Sequence, residues 1–486
     1  MARIYPFRAL RYNPAKVALE DVVTQPYDKI SPEMQQAYYD RSPYNLIRVI
    51  LGKKNSSDTD EQNVYTRAAE SLAQWRKENI LAEESDPAIF GYSQTYVVPG
   101  ATETRERRGF IALGHLYDYA DQIVYRHEQT FPKHKSDRLA LFKATRAYCE
   151  QIYMLYSDPA FTAEKLIFDS GAAPELSVTD EYNVVHKVWK VTDPATINLL
   201  TTAMQDKKLL IADGHHRYET SVAYMHERTQ ALGLSGHGDG VTYNSSSRPE
   251  RSAVERPPYL TANAATNSES PSNAADEPAQ NPLIPPFPEA AMMMTFVNME
   301  APGITILPTH RVVFGLKDFS VPTFIEKTKQ FFEVENIVLP THEESPHLAH
   351  VLLNKLTGTH GTVIAVATQQ GNYLLHAKPE AVANALAETP ERQRQLDVTR
   401  LHAILLENVV GLTHESIAKL ENIRYLREAE DAVQQVASKQ ADIAFLIKPV
   451  TMQQLKDIAL NLEVMPQKST DFYPKLLSGL AIYALD

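Results

Sequence analysis

The 486-residue sequence predicts an α/β protein of mixed α+β type, and three observations support this class. Short apolar runs typical of buried strands alternate with segments of helical spacing. Two neighbouring runs form an antiparallel pair joined by a polar turn. The chain is also longer than one hydrophobic core usually holds. We therefore expect two mixed regions, residues 1–234 and 291–486, separated at 235–290 by a flexible insertion too rich in Ser, Asn, Ala, Glu and Pro to order itself.

Composition limits the class of partner and the compartment. The net charge of −12 disfavours nucleic acid or an anionic membrane surface as the main partner. Cys149 is the only cysteine, which excludes an intramolecular disulfide and fits a reducing compartment. We find neither a signal peptide nor an apolar run of eighteen residues, so we expect a cytoplasmic protein with no membrane-spanning segment. Cys149 itself is expected to be buried and inert.

The N-terminal third predicts scaffold elements. Ser31, followed by proline, is typical of a helix start. We further expect a strand at Asn45–Leu51 and an amphipathic helix within Asp60–Asn79. Two paired strands are expected at Ala88–Val98 and Arg108–Tyr117. Four side chains in the loops before the first helix are candidates for a site, although plain surface positions explain them equally well: Arg8, Arg11, Tyr27 and Asp28.

A charged segment from Arg126 to Arg138 is a candidate active-site loop. His127 and Glu128 form an acid/base pair by residue type. Three acids lie in polar loops beside clustered cations, Asp28, Glu128 and Asp213, and of these we expect Glu128 to be the general base. The basic residues at the following helix start, Arg138 among them, would neutralise phosphate charge. Ser136 and Asp137 are expected to cap that helix. A solvated run of charges explains the segment about equally well.

The stretch KKLLIADGHHRYETSVAYMHER combines a buried strand at Leu209–Ile211 with a helix expected from about Arg217. The turn between them holds the residues Asp213, Gly214, His215, His216 and Arg217. Free N–H groups and the positive helix end converge at such a turn, which favours a phosphate group. Arg217 is expected to be solvated or paired with the anion, and Asp213 to accept a proton or bind a metal ion. A purely structural strand–turn–helix is equally compatible.

Order is expected to resume after the insertion, with strands around MMMTFVNME and ITILPTHRVV and with alternating helices and strands up to residue 460. Thr451 and Gln454 are expected to form a capping box at the start of the last of these helices. His310 and Arg311 interrupt an apolar strand and are candidates for a pocket, with a turn as the alternative. The C-terminal segment VMPQKSTDFYPKLLSGL is expected to dock. Its polar residues Lys468, Ser469, Thr470 and Lys475 are further phosphate candidates, with a solvated loop as the alternative.

Four of these segments together resemble a large family of bacterial and archaeal proteins, domain-of-unknown-function family 1015: YPFRALRYNP with QPYDKIS, RHEQTFPKHKSDRLALFKAT, IADGHHRYET, and ILPTHRVV with MPQKSTDFYPKLLSGL. Within them, ADGHHR is similar to the phosphate loop of the ParB/sulfiredoxin superfamily, which includes free-serine kinases. That likeness implies a ParB/sulfiredoxin-like strand–loop–helix core. It also implies that Gly214, His215, His216 and Arg217 bind nucleotide phosphates.

These observations predict a nucleotide-dependent phosphotransferase that acts on a small hydroxylated metabolite, with free serine as the best guess. Phosphoryl transfer needs positioning and charge neutralisation, which clustered Lys, Arg and His side chains provide. The expected cofactors are ATP or ADP and Mg²⁺. We assign catalysis to Glu128, His127 and Asp213, with Asp213 also as the metal ligand. A phosphoserine hydrolase or transferase, and a non-catalytic nucleotide-binding regulator, remain as alternatives.

Overall fold

The computed structural model describes residues 1–128, 132–234, 283–338 and 348–486. Its strands, in chain order, are β1 (Ile4–Tyr5), β2 (Leu10–Tyr12), β3 (Leu81–Glu83), β4 (Ile89–Val97), β5 (Thr104–His115), β6 (Val124–Tyr125), β7 (Ala147–Tyr148), β8 (Ile152–Tyr156), β9 (Leu176–Thr179), β10 (Val185–Val191), β11 (Leu209–Asp213), β12 (Ala291–Asn298), β13 (Thr305–Leu307), β14 (His310–Val313), β15 (Phe332–Ile337), β16 (Val363–Thr368), β17 (Gly371–Ala377), β18 (Ile423–Leu426), β19 (Ile443–Leu446), β20 (Asp471–Tyr473) and β21 (Tyr483–Ala484).

The α-helices are α1 (Leu19–Val22), α2 (Pro32–Arg41), α3 (Ile47–Ile50), α4 (Val64–Lys77), α5 (Pro132–Thr145), α6 (Thr162–Phe168), α7 (Pro194–Met204), α8 (His215–Ala231), α9 (Val321–Thr328), α10 (Leu348–Gly358), α11 (Pro379–Ala385), α12 (Glu391–Arg394), α13 (Asp397–Arg400), α14 (His414–Lys419), α15 (Ala429–Ala437) and α16 (Met452–Leu460). Short 3₁₀ helices occupy Tyr27–Lys29, Tyr119–Asp121 and Pro288–Ala290, and a π-helix continues α13 over Leu401–Val410.

A nine-stranded mixed sheet forms the larger layer, in the order β6-β11-β8-β12-β5-β4-β10-β9 with β1 on β5. Two of its pairs are parallel, β6 with β11 and β8 with β12. Strand β12 follows the insertion in sequence, yet it lies in the middle of this sheet because its eight residues are all buried and pair on both sides. The mixed α/β class expected from the sequence is confirmed.

A second sheet of six strands has the order β15-β17-β16-β19-β14-β18, and its pairs are antiparallel. One hydrophobic cluster includes side chains of both sheets, from Phe110 and Met294 to Val366 and Phe445. A second cluster packs α10 and α15 on one face of the six-stranded sheet. The predicted boundary at residue 291 stays a prediction, but the shared cluster shows that the two sheets are packed together.

Local signals for helices are largely confirmed. The Ser31 hydroxyl accepts a hydrogen bond from the Met34 N–H at 3.2 Å, as expected of an N-cap. Thr451 and Gln454 form a capping box at the start of α16. Trp75 on α4 is 3% exposed and packs in a core cluster with Leu72 and Tyr12. Local spacing and capping chemistry therefore predicted these elements correctly.

Two expectations about local structure are wrong. The segment predicted as a strand at Asn45–Leu51 contains the short helix α3, whose first turn is set by the Asn45 side chain accepting from the Ile47 N–H at 3.0 Å. Helix α5 already begins at Pro132, so Ser136 and Asp137 both lie within the helix rather than at its N-cap. The Asp137 carboxylate instead accepts from the Tyr65 hydroxyl at 2.8 Å and pairs with Arg138. A tertiary partner outweighed the local capping preference.

Most of the predicted flexible insertion, residues 235–282, lies outside the described residues. Its last residues are described: Glu289 is 1% exposed and pairs with Arg146 and Arg228. Cys149 is buried, and burial raises the pKa of its thiol to about 12, so the expectation of an inert cysteine is supported. Within the described ranges, no helix is both long and apolar enough to cross a membrane.

Candidate functional site

The predicted phosphate loop lies where the two parallel strands β6 and β11 end. Leu209 and Leu210 pair with Val124 and Tyr125, so His127 and Asp213 leave the sheet at the same edge. Carboxyl ends of adjacent parallel strands are a common position for ligand sites in α/β proteins. Gly214 caps α8 with φ of 96°, a conformation that favours glycine, and no side chain caps this helix. The first-turn N–H groups of a 17-residue helix therefore point toward this edge.

The C-terminal segment reaches the same edge through hydrogen bonds to the large sheet. Strand β20 pairs with β13, and the buried Arg107 donates to the carbonyls of Tyr473 at 3.3 Å and Pro474 at 2.6 Å. The Gln94 amide donates to the carbonyl of Lys475 at 2.7 Å. The expectation that the C-terminus docks is confirmed, and docking places the Lys475 side chain beside the β11–α8 turn.

A buried ion-pair cluster results from this docking. Lys475 Nζ lies 2.8 Å from Asp213 Oδ1 and 3.0 Å from Asp471 Oδ1. Burial lowers the pKa of Lys475, but these two carboxylates outweigh burial and raise it. Burial likewise raises the pKa of both carboxyls, yet the adjacent cations outweigh it and hold each pKa well below its usual range. The cluster is therefore fully charged at neutral pH.

Lys29, which sequence reasoning did not single out, joins this cluster. Its Nζ lies 3.6 Å from Asp471 Oδ1, and its side chain is 30% exposed, whereas that of Lys475 is 8% exposed. The charge of Lys475, and then burial, lower the pKa of Lys29. Its motif QPYDKIS carried the family resemblance, and Asp471 lies in another quoted segment. Only the fold brings these two side chains together.

Arg217 is buried rather than solvated, which corrects the sequence expectation. It is 4% exposed, donates to the Gln151 carbonyl at 2.7 Å and to Asp213 Oδ2 at 3.1 Å, and lies 3.7 Å from Glu150. Burial raises the pKa of Glu150, against the effect of Arg217 and Arg138. Because both terminal nitrogens of its guanidinium group already have protein partners, Arg217 stabilises the turn, and its direct contact with phosphate stays a prediction.

Arg138 occupies a similar internal position on α5. It is 3% exposed and donates to the Ile50 carbonyl at 2.8 Å and to Asp137 at 2.6 Å. Its guanidinium also lies 4.1 Å from the centre of the Tyr27 ring. Arg138 thereby packs against the 3₁₀ turn at Tyr27–Lys29 through the Tyr27 ring. Its role in phosphate binding stays a prediction.

His127 and His215 form a buried pair beside Asp213. Their rings meet edge to face at 4.6 Å, and the backbone N–H of His127 donates to His215 Nε2 at 3.5 Å. Burial lowers the pKa of both imidazoles, so both are neutral at pH 7. His127 Nε2 also shares a hydrogen bond of 2.9 Å with the Thr470 hydroxyl. His216, the other histidine of the turn, is half-buried.

Glu128 holds the backbone of the C-terminal loop. Its Oε1 accepts from the N–H groups of Ser469 at 3.1 Å and Thr470 at 3.4 Å, and from the Thr470 hydroxyl at 3.3 Å. Its side chain is 18% exposed, and its Oε1 lies 3.9 Å from His127 Nε2. The structure thus brings the predicted acid/base pair and the predicted loop into contact. It gives Glu128 a positioning role, while catalysis by Glu128 stays a prediction.

His310 and Arg311 lie inside strand β14 and also have protein partners. His310 Nδ1 accepts from the Ile447 N–H at 3.3 Å, and burial lowers the pKa of His310 to about 3. Arg311 is fully buried and donates to the carbonyls of Thr309 and Lys468. Arg311 therefore anchors the loop that follows Met465, and the exposed side chain of Lys468 extends from it. Phosphate binding by His310, Arg311 and Lys468 stays a prediction.

The surroundings of Asp213 do not fit a magnesium site. Its Oδ1 faces Lys475 and its Oδ2 faces Arg217, so a dication would be repelled by both side chains. Among the described residues, no group of three or more His, Cys, Asp or Glu side chains is placed to hold a metal ion. The predicted metal role of Asp213 therefore lacks support from the geometry.

Solved structures of several proteins are similar to this chain at low identity. A free serine kinase in complex with AMP is 11% identical, with a TM-score of 0.30, over 75% of this chain and 86% of that chain. A conserved hypothetical protein from Pyrococcus furiosus is 12% identical, with a TM-score of 0.31, over 76% and 92%. SbnI with a C-terminal truncation, from Staphylococcus aureus, is 10% identical, with a TM-score of 0.33, over 76% and 85%.

Similarity at these identities and TM-scores does not extend to activity or substrate, and the likeness to the ParB/sulfiredoxin superfamily stays a prediction. No curated protein matches the chain. The family model described as "Protein of unknown function (DUF1015)" matches residues 4–245 and 266–399, which confirms the resemblance inferred from the four segments. The chain belongs to the DUF1015 family.

Proposed function

We propose that this protein is a nucleotide-dependent phosphotransferase that acts on the hydroxyl group of a small metabolite. The nucleotide phosphates would bind at the edge where β6 and β11 end, against the start of α8. Phosphoryl transfer requires mainly positioning and stabilisation of charge, and a rigid cluster of buried and half-buried cations supplies both. Free serine is the first acceptor to test, because the sequence resemblance suggested it.

The crowding of two lysines carries this proposal. Lys29 and Lys475 both lie within 3.6 Å of one oxygen of Asp471, and the charge of Lys475 is the main cause that lowers the pKa of Lys29. The positive charge of Lys475 thus affects the pKa of Lys29 more strongly than the adjacent carboxylate of Asp471, which raises it. An anion that binds there relieves this repulsion, and the uncapped start of α8 adds the positive end of its dipole.

Accessibility separates the cations by role. Lys475 and Arg217 are buried and hold Asp213 in place, so they set the shape of the cluster. Lys29 retains 30% exposure and is the cation of this cluster best placed to contact a phosphate oxygen. An accessible donor of this kind can bind and orient the phosphate group, while the buried ion pairs keep the surrounding side chains in position.

The test replaces Lys29 with Met, which preserves the length and apolar stem of the side chain but removes its charge. A lost hydrogen bond to a charged group costs about 1.5–3 kcal/mol, so we expect nucleotide affinity to fall by roughly 10- to 150-fold. The matched control is Lys16→Met, since Lys16 is exposed and forms no ion pair among the described residues. Isothermal titration with ATP and ADP measures the nucleotide affinity of both variants and of the wild-type protein. An affinity of Lys29→Met equal to that of the wild-type protein would show that Lys29 does not contact the nucleotide.

Turnover assays then discriminate between the classes of activity. Transfer of radiolabelled phosphate from ATP or ADP to serine or another hydroxylated acceptor supports the phosphotransferase. Nucleotide binding without any transfer would support a nucleotide-binding regulator instead. Release of phosphate from phosphoserine in the absence of nucleotide would support the hydrolase.

A further inference from the structure

We propose that the Asp28 carboxylate accepts the proton of the acceptor hydroxyl during transfer. This inference rests on the proposed function and assigns one of its steps to a residue. Asp28 lies in the 3₁₀ turn Tyr27–Lys29, next to the accessible cation of the cluster. It is exposed, and it has no hydrogen bond or ion pair within the part of the chain that the structure describes.

The neighbours of Asp28 fix its position at the rim of the site. The Tyr27 N–H donates to Glu150 Oε1 at 3.0 Å, and the Lys29 ammonium group lies 3.6 Å from Asp471. Both residues next to Asp28 are therefore attached to the buried charge cluster. The charge of Asp28 also affects the pKa of Lys475 and of Arg217, which indicates that its carboxylate lies within electrostatic reach of the cluster.

The turn is held from its other side as well. The Gln25 amide donates to Asp180 Oδ2 at 3.1 Å, and that same carboxylate oxygen lies 3.1 Å from His186 Nε2. Gln25 is 3% exposed, so the chain that enters the turn is fixed inside the protein. A base on such a support retains its position when substrate binds, as general base catalysis requires.

Other carboxylates near the site are already occupied. Asp213 faces Lys475 and Arg217, and Asp471 faces Lys475 and Arg427, so a proton on either acid would disrupt buried ion pairs. Protonation of Glu128 would weaken its hydrogen bonds from the backbone of the loop at Ser469 and Thr470. Asp28 is the acid whose protonation breaks no contact observed among the described residues.

The step is balanced with a nucleoside tri- or diphosphate as the phosphoryl donor. The acceptor oxygen forms a bond to the terminal phosphorus while its proton passes to a carboxylate oxygen of Asp28. The bond between that phosphorus and the bridging oxygen breaks, and the electron pair leaves with the nucleotide, which is shorter by one phosphate. Lys29 stabilises the charge on the transferred group, and the protonated Asp28 returns its proton to solvent.

The experiment compares Asp28→Asn, Asp28→Glu and Glu128→Gln with the matched control Asp169→Asn, an exposed aspartate with no hydrogen bond or ion pair of its side chain in the described ranges. We measure kcat, acceptor KM, nucleotide affinity and melting temperature for each protein. Loss of a general base lowers kcat by roughly 10²–10⁴-fold. We therefore expect that loss in Asp28→Asn with nucleotide affinity and melting temperature unchanged, and a smaller loss in Asp28→Glu, which keeps a carboxylate.

Each result separates the inference from the proposed function. A wild-type protein that transfers phosphate, together with an Asp28→Asn variant of near wild-type kcat, overturns the role of Asp28 alone. A large loss of kcat in Glu128→Gln with none in Asp28→Asn assigns the base to Glu128. A wild-type protein without phosphoryl transfer to any hydroxylated acceptor refutes the proposed function, and the role of Asp28 with it.

Discussion

Replacement of Lys475 by Met probes the ion-pair cluster that organises the site. The substitution removes the ammonium group that lies 2.8 Å from Asp213 and 3.0 Å from Asp471, and it leaves two carboxylates in a buried position. Removal of one partner of a buried ion pair costs about 3–5 kcal/mol. Here each acid keeps another cation, Arg217 at 3.1 Å and Arg427 at 2.6 Å. We therefore expect a loss near the lower limit, about 3 kcal/mol of unfolding free energy.

Urea unfolding followed by circular dichroism measures this loss. The control Lys317→Met removes an exposed lysine that forms no ion pair in the described part of the chain, and it should change stability by less than about 0.5 kcal/mol. The double variant Lys475→Met/Asp213→Asn also removes the negative charge of Asp213, which has lost Lys475 as its partner. We expect a coupling energy of about 0.5–3 kcal/mol between the two sites. A loss below about 1 kcal/mol in Lys475→Met, or additive effects in the double variant, would refute the view that Lys475 holds the cluster together.

Two further predictions concern buried side chains that the sequence assigned to phosphate. Arg217→Ala should lower the unfolding free energy by about 3 kcal/mol, because it removes one cation from Asp213 and Glu150 while Lys475 at 2.8 Å and Arg138 at 3.6 Å remain beside them, and an unchanged urea midpoint would contradict this. His310 has a pKa of about 3 in the folded protein, below its value of about 6.5 in the unfolded chain. Between these two pKa values the unfolded chain binds one proton more than the folded protein. The free energy of unfolding therefore falls by about 1.4 kcal/mol for each pH unit as the pH decreases from about 6.5 to about 3. In His310→Asn, which keeps an acceptor for the Ile447 N–H, urea unfolding at pH 7.5, 5.5 and 4.5 should show a shallower loss, and identical slopes would contradict the assignment.

The secondary structure around the site residues was predictable where it depends on neighbouring residues. The turn from Asp213 to Arg217 lies between a buried strand and a helix, as its apolar spacing indicated. His127 and Glu128 follow a short strand, and the C-terminal loop docks as expected. The start of α8 was misplaced by two residues because His215, which the sequence assigned to the loop, occupies the first helical turn.

Which charges are paired could not be predicted from the sequence. Arg217 lies in the first turn of α8, and the sequence suggested a helix start close to Arg138 as well, although α5 begins at Pro132. A charged residue near a helix start usually indicates solvent or a ligand. Both are instead less than 5% exposed. Glu150 accounts for part of this, because it lies within 3.7 Å of both guanidinium groups and is itself buried. Glu150 follows the short strand β7, and nothing in the neighbouring sequence indicates that its carboxylate pairs with two buried arginines.

The sequence by itself determined the mixed α/β class, the family, the main helices and the strand–turn–helix at Asp213, because periodicity and capping act over a few neighbouring residues. Only the tertiary structure decided that Lys475 meets Asp213, which lies 262 positions away, and that Lys29 meets Asp471. Sheet pairing brings these segments together, and the energy of an ion pair depends on distance and burial rather than on order in the chain. The site is therefore a product of the fold.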